Sequence, residues 1–325
     1  MALVEFLTII CVAVIAVGTN GDECRKGSER SILQPRYWLT TPLELSRSDV
    51  TLSAYSGDVL PVISGARNVS SWRSEADGTW VAEWPGAANF TRLFSTAGDF
   101  ANSRYPIDPS ASLSWAAPLQ PCAPTPGGGR PTCPDVNRLG FVYDPADLPD
   151  ALLDAQPVTS LFVRVESAPF EETLHTVAAI NRTNHTLLFG EPDAFALGHY
   201  GSSVNRTRFS LQNVAPVAPG TWSHSSDRLH LRVGGSQSPN ELGVEAPALP
   251  ALLVIRLAQR VTVRGLRFAV SGNGGATTDH SAFKRVAPVR VLSCEAVVIE
   301  GCELAQSDGN GVFVSAGTDV ALRSL

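Results

Sequence analysis

The most regular feature of the chain is a pattern of short apolar segments that recurs near its C-terminus. Two series of three-residue segments alternate there, and each segment of the second series begins eight residues after one of the first. The first series comprises residues 253–255, 289–291 and 312–314, and the second comprises residues 261–263, 297–299 and 320–322. Both series step by 36 and then by 23 residues, an agreement that two unrelated valine-rich hairpins would not produce.

A third apolar segment completes the repeat, at 266–268 and again at 302–304. A 23-residue unit with three short strands and sharp corners is typical of one coil of a parallel β-helix, which stacks its strands on those of the previous coil. We therefore predict an all-β protein whose residues 251–325 form a right-handed parallel β-helix. Cys302 aligns with Leu266, so we expect it to be a buried apolar position rather than a reactive thiol.

The longer step contains an insertion between residues 268 and 289. An insertion in a repeat emerges as a loop on one face, and that face is often the binding face. We interpret Asp279 as a catalytic candidate in this loop and His280, Lys284 and Arg285 as candidate substrate-binding residues. The alternative is an ordinary solvated loop, because exposed loops are polar in any case.

The remaining chain divides into regions with different patterns. Residues 19–66 are predicted as an N-terminal region that includes an opening coil from residue 36. Residues 67–250 lack the repeat and hold five of the six tryptophans, so we predict an inserted antiparallel β-rich domain there, with one helix near 146–155. Trp72, Trp80 and Trp84 are expected to be core residues or cross-strand partners rather than sugar platforms, given the area that an indole buries.

The first 18 residues are predicted to be a cleaved signal peptide. Residues 6–17 form a largely apolar run, which is too short to span a bilayer, and small residues follow at Ala16 and Gly18. A signal anchor is the alternative. No other stretch is apolar enough to cross a membrane, so we expect a secreted protein with no membrane contact after cleavage.

Two further features fit export. Acceptor triplets for N-glycosylation occur at Asn68, Asn89, Asn181, Asn184 and Asn205. Cys122 and Cys133 flank a Pro/Gly-rich loop, and we predict a disulfide between them. That pairing leaves the states of Cys24, Cys294 and Cys302 open.

Composition excludes some classes of partner. A net charge of −6, with 17% charged residues and no cluster of Lys and Arg, argues against nucleic acid. The sequence has no zinc-protease, phosphate-loop or serine-hydrolase motif, so neither a metal nor a cofactor is predicted.

Several motifs, taken in order, resemble a group of secreted β-helical, pectate-lyase-like glycoside hydrolases with α-L-fucosidase and xylanase activities. They are residues 61–65 with Trp72, 92–94, 104–106, 209–213, 219–222, 227–231, 263–268, 299–304 and 308–311. The resemblance implies a β-domain inserted after the first coil and a carbohydrate-active protein that binds extracellular polysaccharide, which we expect to be monomeric. The chain departs from the group between Phe94 and Arg104, and it ends at Leu325, before the coils that carry the catalytic carboxylates of the group. We therefore expect it to be catalytically incomplete as given.

The sequence leaves the reaction open. Glycoside hydrolysis needs two carboxyl groups, and Asp308, in an Asp-Gly-Asn-Gly corner, is a second weak candidate beside Asp279, although such a corner more often simply turns the chain. A polysaccharide lyase would use Lys284 or Arg285 as base. A third reading is a non-catalytic adhesion or glycan-binding module.

Overall fold

The structure is a computed structural model that describes residues 36–54, 60–85, 90–96, 98–108, 111–127, 129–168, 171–198, 208–215, 218–225, 227–272, 287–307 and 309–325. It is an all-β protein, with 49% strand and few short helices. The predicted signal peptide at 1–18 and Cys24 lie outside the described residues.

The strands are short and are numbered in chain order. They are β1 (Arg36–Trp38), β2 (Leu43–Leu45), β3 (Val50–Ser53), β4 (Val62–Ser64), β5 (Ala66–Asn68), β6 (Arg73–Ser74), β7 (Trp80–Glu83), β8 (Arg92–Ser95), β9 (Gly98–Asn102), β10 (Arg104–Tyr105), β11 (Leu113–Pro118), β12 (Gly140–Tyr143), β13 (Phe162–Ala168), β14 (Glu171–Asn181), β15 (Thr186–Phe189), β16 (Arg208–Gln212), β17 (Thr221–Ser225), β18 (Arg228–Arg232), β19 (Glu245–Pro247), β20 (Leu253–Arg256), β21 (Gln259–Arg264), β22 (Arg267–Ser271), β23 (Val289–Leu292), β24 (Glu295–Glu300), β25 (Glu303–Ser307), β26 (Val312–Ser315) and β27 (Thr318–Arg323). The helices are α1 (Asp150–Asp154), α2 (Pro239–Leu242) and two 3-10 turns, Asp135–Arg138 and Val158–Ser160.

The chain forms two compact units. The ladder unit takes in the described residues of Met1–Arg67, Glu245–Gly274 and Lys284–Leu325, and the inserted unit takes in those of Asn68–Val244. The sequence placed the end of the insertion at residue 250, whereas the chain returns to the ladder unit at Glu245. The difference arises because β19 is a short strand outside the repeat, hydrogen-bonded to β5, that no periodicity marks.

The ladder unit consists of three parallel four-stranded sheets. Sheet A has the order β1-β4-β22-β25, sheet B has β2-β20-β23-β26, and sheet C has β3-β21-β24-β27. Leu253 lies opposite Val289, and Val289 lies opposite Val312. The same steps hold in sheet C, where Val297 pairs with Val261 and with Val320. This is the alignment that the two offsets in the sequence predict.

The core of the ladder unit lies between its sheets and is made of inward side chains stacked from rung to rung. Val261, Val297, Val289 and Ile299 are fully buried, as are their neighbours on the same faces. Each such side chain contributes about 1.5–3 kcal/mol on burial. Cys302 belongs to this core as expected, and burial raises the pKa of its thiol.

The corners between sheets repeat with the same period as the strands. Left-handed backbone conformations occur at three aligned sets of positions: Leu257, Ser293 and Ala316; Arg260, Ala296 and Asp319; and Gly265, Gly301 and Ser324. The sequence marked the last set, where two members are glycine. The other two sets carry ordinary side chains, so packing of the coils holds conformations that these residues rarely adopt alone.

The inserted unit contains a closed ring of six antiparallel strands. β11, β12, β15, β14, β13 and β16 pair in that order, and β16 also pairs with β11. The inward core includes Phe141, Val163, Leu187 and Phe209. A second group of strands, β8-β9-β17-β18-β7-β6, contains one parallel pair, β9 with β17, so the insertion is not antiparallel throughout.

The tryptophans of the inserted unit follow the expectation from the sequence. Trp72 and Trp84 are buried and Trp80 is half-buried. Trp84 packs edge-on against Phe90, and Phe90 lies 4.8 Å from the ring of Trp222. These indoles are core residues.

The Pro/Gly-rich loop of the inserted unit is closed by a disulfide between Cys122 and Cys133, which are separated by 11 positions. Replacing both cysteines with serine should lower the free energy of unfolding by roughly 3 kcal/mol, because the unfolded chain regains the entropy of a short loop. Denaturant unfolding of the double variant measures this loss. Wild-type protein unfolded under reducing conditions should match it, and a variant as stable as the oxidised protein would contradict the expectation.

Inward and outward positions of the ladder should respond differently to truncation. We expect Ile299→Ala, at a fully buried position, to cost roughly 2–5 kcal/mol because it leaves a cavity between rungs. Val298→Ala, at the half-buried outward position next to it, should cost about 0.5 kcal/mol or less. Urea melts of the two variants compare the positions, and equal losses would contradict the assigned faces.

Candidate functional site

The residues that the sequence singled out for chemistry fall where the structure gives no description. Asp279, His280, Lys284, Arg285 and Asp308 all lie outside the described residues. The described chain leaves sheet A at the end of β22 and resumes at the start of β23 in sheet B.

Side chains on the outer face of sheet A form rows that run across its strands. One row contains Arg36, Val62, Arg267 and Glu303, which are aligned by the register of the four strands. Trp38 begins the next row. Because successive residues of a strand point to opposite faces, Arg36 and Trp38 face outward while Tyr37, between them, packs against the core.

Trp38 differs from the buried tryptophans of the inserted unit because 57% of its surface is exposed. The Arg36 guanidinium lies over its ring, 5.7 Å from the centroid. Arg36 also donates a hydrogen bond to Ser64 Oγ at 3.1 Å and pairs with the carboxylate of Glu245. The indole is thus exposed to solvent while its surroundings hold it in place.

The position of Glu245, the first residue of β19, is set by a backbone contact between the segment after β19 and the end of β4. Ala248 donates its N–H to the carbonyl of Gly65 at 2.8 Å, which sets the segment after β19 beside the end of β4. A side chain at Gly65 would not fit, since a Cβ there would lie 2.5 Å from Leu252 Cδ2. This close approach brings Glu245 to Arg36, although 209 positions separate them.

The environment of Glu245 is unusual for a carboxylate at a protein surface. Only 14% of its side chain is exposed, and it accepts a hydrogen bond from Arg36 and lies near the side chain of Trp38. Burial raises the pKa of Glu245, and the charge of Arg36 offsets this in part. The three side chains Arg36, Trp38 and Glu245, which we call the Trp38 cluster, therefore form one connected group.

A second ion pair lies along the same sheet. Arg267 and Glu303 approach to 3.4 Å, with 38% and 48% of their side chains exposed. They occupy the same row as Arg36, two and three strands away. The outer face of sheet A thus combines an exposed indole with two pairs of guanidinium and carboxylate groups.

The chemistry of this arrangement suits a ligand with both apolar and hydroxyl faces. An indole offers a flat apolar surface with a polar edge, while guanidinium groups donate and carboxylates accept hydrogen bonds. Sequence reasoning missed the cluster. The available signal was the Arg-x-Trp spacing on a strand, which places both side chains on one face, but nothing in the sequence linked it to Glu245.

The inserted unit holds a different polar cluster, which is buried. His175 Nε2 lies 3.0 Å from Asp193 Oδ2 and 2.9 Å from Thr173 Oγ1, and its ring stacks on Phe189. His175 is fully buried, and Asp193 is 2% exposed. Asp193 also accepts a hydrogen bond from Arg138 Nε through its backbone carbonyl, at 2.6 Å. These contacts tie the segment after β15 to β14, which is a structural role.

Three predicted glycosylation acceptors lie among the described residues. Asn68, Asn181 and Asn184 are exposed, and Asn184 Oδ1 accepts a hydrogen bond from Thr186 Oγ1, the hydroxyl of its own triplet, at 2.8 Å. Asn89 and Asn205 lie outside the described residues. Attachment of glycans to any of the five remains a prediction.

Comparisons with known proteins add no family. A scan against protein-family models finds no match to this chain, and searches of curated proteins and of solved structures find none either. Among the described residues, no helix has the length and apolar character needed to span a bilayer. The same residues contain no group of three or more His, Cys, Asp or Glu side chains placed to hold a metal ion.

The structural role of the buried cluster can be tested by removing its carboxylate. We expect Asp193→Ala to lower the free energy of unfolding by about 3 kcal/mol, because it leaves buried polar groups without their partner. Asp150→Ala removes an exposed partner of Arg182 and should leave stability unchanged within error. Thermal unfolding of both variants measures the difference, and an unchanged melting temperature for Asp193→Ala would contradict the assignment.

Proposed function

We propose that this is a secreted carbohydrate-binding protein, similar to glycoside hydrolases, that holds an extracellular polysaccharide on the outer face of sheet A. The observation that carries the proposal is the exposed indole of Trp38 on a regular parallel sheet, with the guanidinium of Arg36 over its ring and Glu245 paired with that guanidinium. Aromatic side chains with an apolar face and a polar edge suit ligands that present both kinds of surface. The buried tryptophans elsewhere make this exposed one the distinctive platform among the described residues.

We infer further that the three sheets of the ladder unit form a right-handed parallel β-helix, the pectin-lyase type of fold. Successive strands pass from sheet A to B to C and return to A, and each return adds one rung to every sheet. Crossover connections between parallel strands of one sheet are right-handed in nearly all proteins. This supports the handedness, and a diffraction structure of the protein would test it.

Export, N-glycosylation and a monomeric state belong to the same proposal. The exposure of Asn68, Asn181 and Asn184 is compatible with glycans at these acceptors, and the disulfide of Cys122 and Cys133 suits an oxidising compartment. Expression in a secreting host, followed by mass spectrometry of the released protein, tests signal cleavage and glycan attachment together.

A second candidate function is glycan binding without turnover. In the described part of sheet A, the carboxylates Glu245 and Glu303 are each ion-paired with an arginine. Glycoside hydrolysis needs one carboxyl as acid and another as nucleophile or base. On the described outer face of sheet A, both of these carboxylates are paired with arginines. Asp279 and Asp308 remain the catalytic candidates of the hydrolase proposal, with His280, Lys284 and Arg285 as substrate-binding candidates. Release of reducing sugar from a bound polysaccharide would select the hydrolase.

The binding proposal is tested by truncating the platform. Wild-type protein should bind at least one of xylan, fucosylated xyloglucan and polygalacturonate, measured by affinity electrophoresis and calorimetry. Trp38→Ala should weaken that binding roughly 30-fold, because loss of an aromatic anchor costs about 2 kcal/mol or more. Phe313→Ala is a matched control, since Arg290 lies over Phe313 at 6.0 Å on the outer face of sheet B. Equal effects of the two substitutions, or no binding to any of the three polysaccharides, would overturn the proposal.

A further inference from the structure

We propose that Glu245 is a positioning residue that makes glycan binding by Trp38 sensitive to acid. This inference rests on the proposed function and adds to it a regulation of the same site. It concerns the carboxylate of Glu245, which pairs with the guanidinium that lies over the Trp38 ring.

The ionised form of Glu245 holds the guanidinium that lies over the indole. Arg36 donates a hydrogen bond to the carboxylate, and its guanidinium lies over the ring of Trp38, 5.7 Å from the centroid. A carboxylate accepts several hydrogen bonds at once, whereas a protonated carboxyl gives up part of that capacity and its charge. Protonation therefore weakens the contacts that orient the exposed ring.

Glu245 takes up its proton within a pH range that a binding experiment can cover. Burial raises the pKa of Glu245, so it takes up a proton at a higher pH than an exposed glutamate does. Among the described residues, Arg36 is the charged group that faces the carboxylate, and it comes from β1. Affinity that depends on the ionised form is present at neutral pH and is lost as the pH falls.

Water screens and replaces the contacts of an exposed ion pair more than those of a buried one. The side chain of Glu245 is 14% exposed, whereas that of Glu44, which is paired with Arg256 on sheet B, is 51% exposed. Glu44 is therefore a matched control, since it is ion-paired to an arginine but lies on a different sheet from the proposed binding face.

The experiment measures binding of xylan, fucosylated xyloglucan and polygalacturonate by calorimetry between about pH 7.5 and pH 4, a range that spans the ordinary titration of glutamate. For whichever polysaccharide binds at neutral pH, wild-type affinity should fall about tenfold toward acid, the size expected when one charge-assisted contact weakens. Glu245→Gln should bind with a constant affinity near the acid value of the wild type. Glu44→Gln should keep the wild-type profile.

Glu245→Asp provides a second variant with an ionisable group at the same place. It should keep a pH-dependent affinity, and circular dichroism at each pH verifies that the variants remain folded. A wild-type profile that is flat, or one that Glu245→Gln does not alter, overturns the inference while leaving the proposed function intact if Trp38→Ala still weakens binding. Absence of any Trp38-dependent binding at neutral pH instead overturns the proposed function.

Discussion

The stacking of one apolar rung on the next is the interaction on which the ladder unit depends. Neighbouring parallel strands pair their backbone groups across three sheets, and valine, isoleucine and leucine side chains fill the space between them. Backbone pairing and apolar stacking depend on each other. A buried strand without neighbours leaves its polar backbone unsatisfied, and an apolar stack without paired strands has no register. The corners with left-handed backbone, such as those at Leu257 and Ala296, persist because this stack holds them.

A rigid ladder also explains how a surface site can be precise. Inward residues such as Tyr37 anchor each strand, so their outward neighbours Arg36 and Trp38 are held by the same backbone. The indole therefore keeps a defined position although more than half of it is exposed. Functional side chains placed on rigid strands lose less entropy on binding than those on loops.

The His175–Asp193 pair and the Trp38 cluster differ in their burial. His175 Nε2 and Asp193 form a hydrogen bond in a buried place, where their contacts stabilise the inserted unit. The Trp38 cluster instead combines a nearly buried carboxylate with an exposed ring. A nearly buried carboxylate titrates at a shifted pH, and an exposed ring beside it can contact a ligand. In our proposal this combination couples protonation of the carboxylate to ligand binding.

The sequence by itself determined the ladder, because a repeat of aligned valines in two series specifies which strands are neighbours, as the pairing of Val289 with Val312 shows. It also indicated the opening coil and the burial of Trp72 and Cys302. Tertiary structure alone decided that β19 returns to the ladder unit and that Glu245 meets Arg36 and Trp38. The physical reason is that periodicity records contacts between equivalent positions of a repeat, whereas a contact across 209 positions outside the repeat leaves no pattern along the chain.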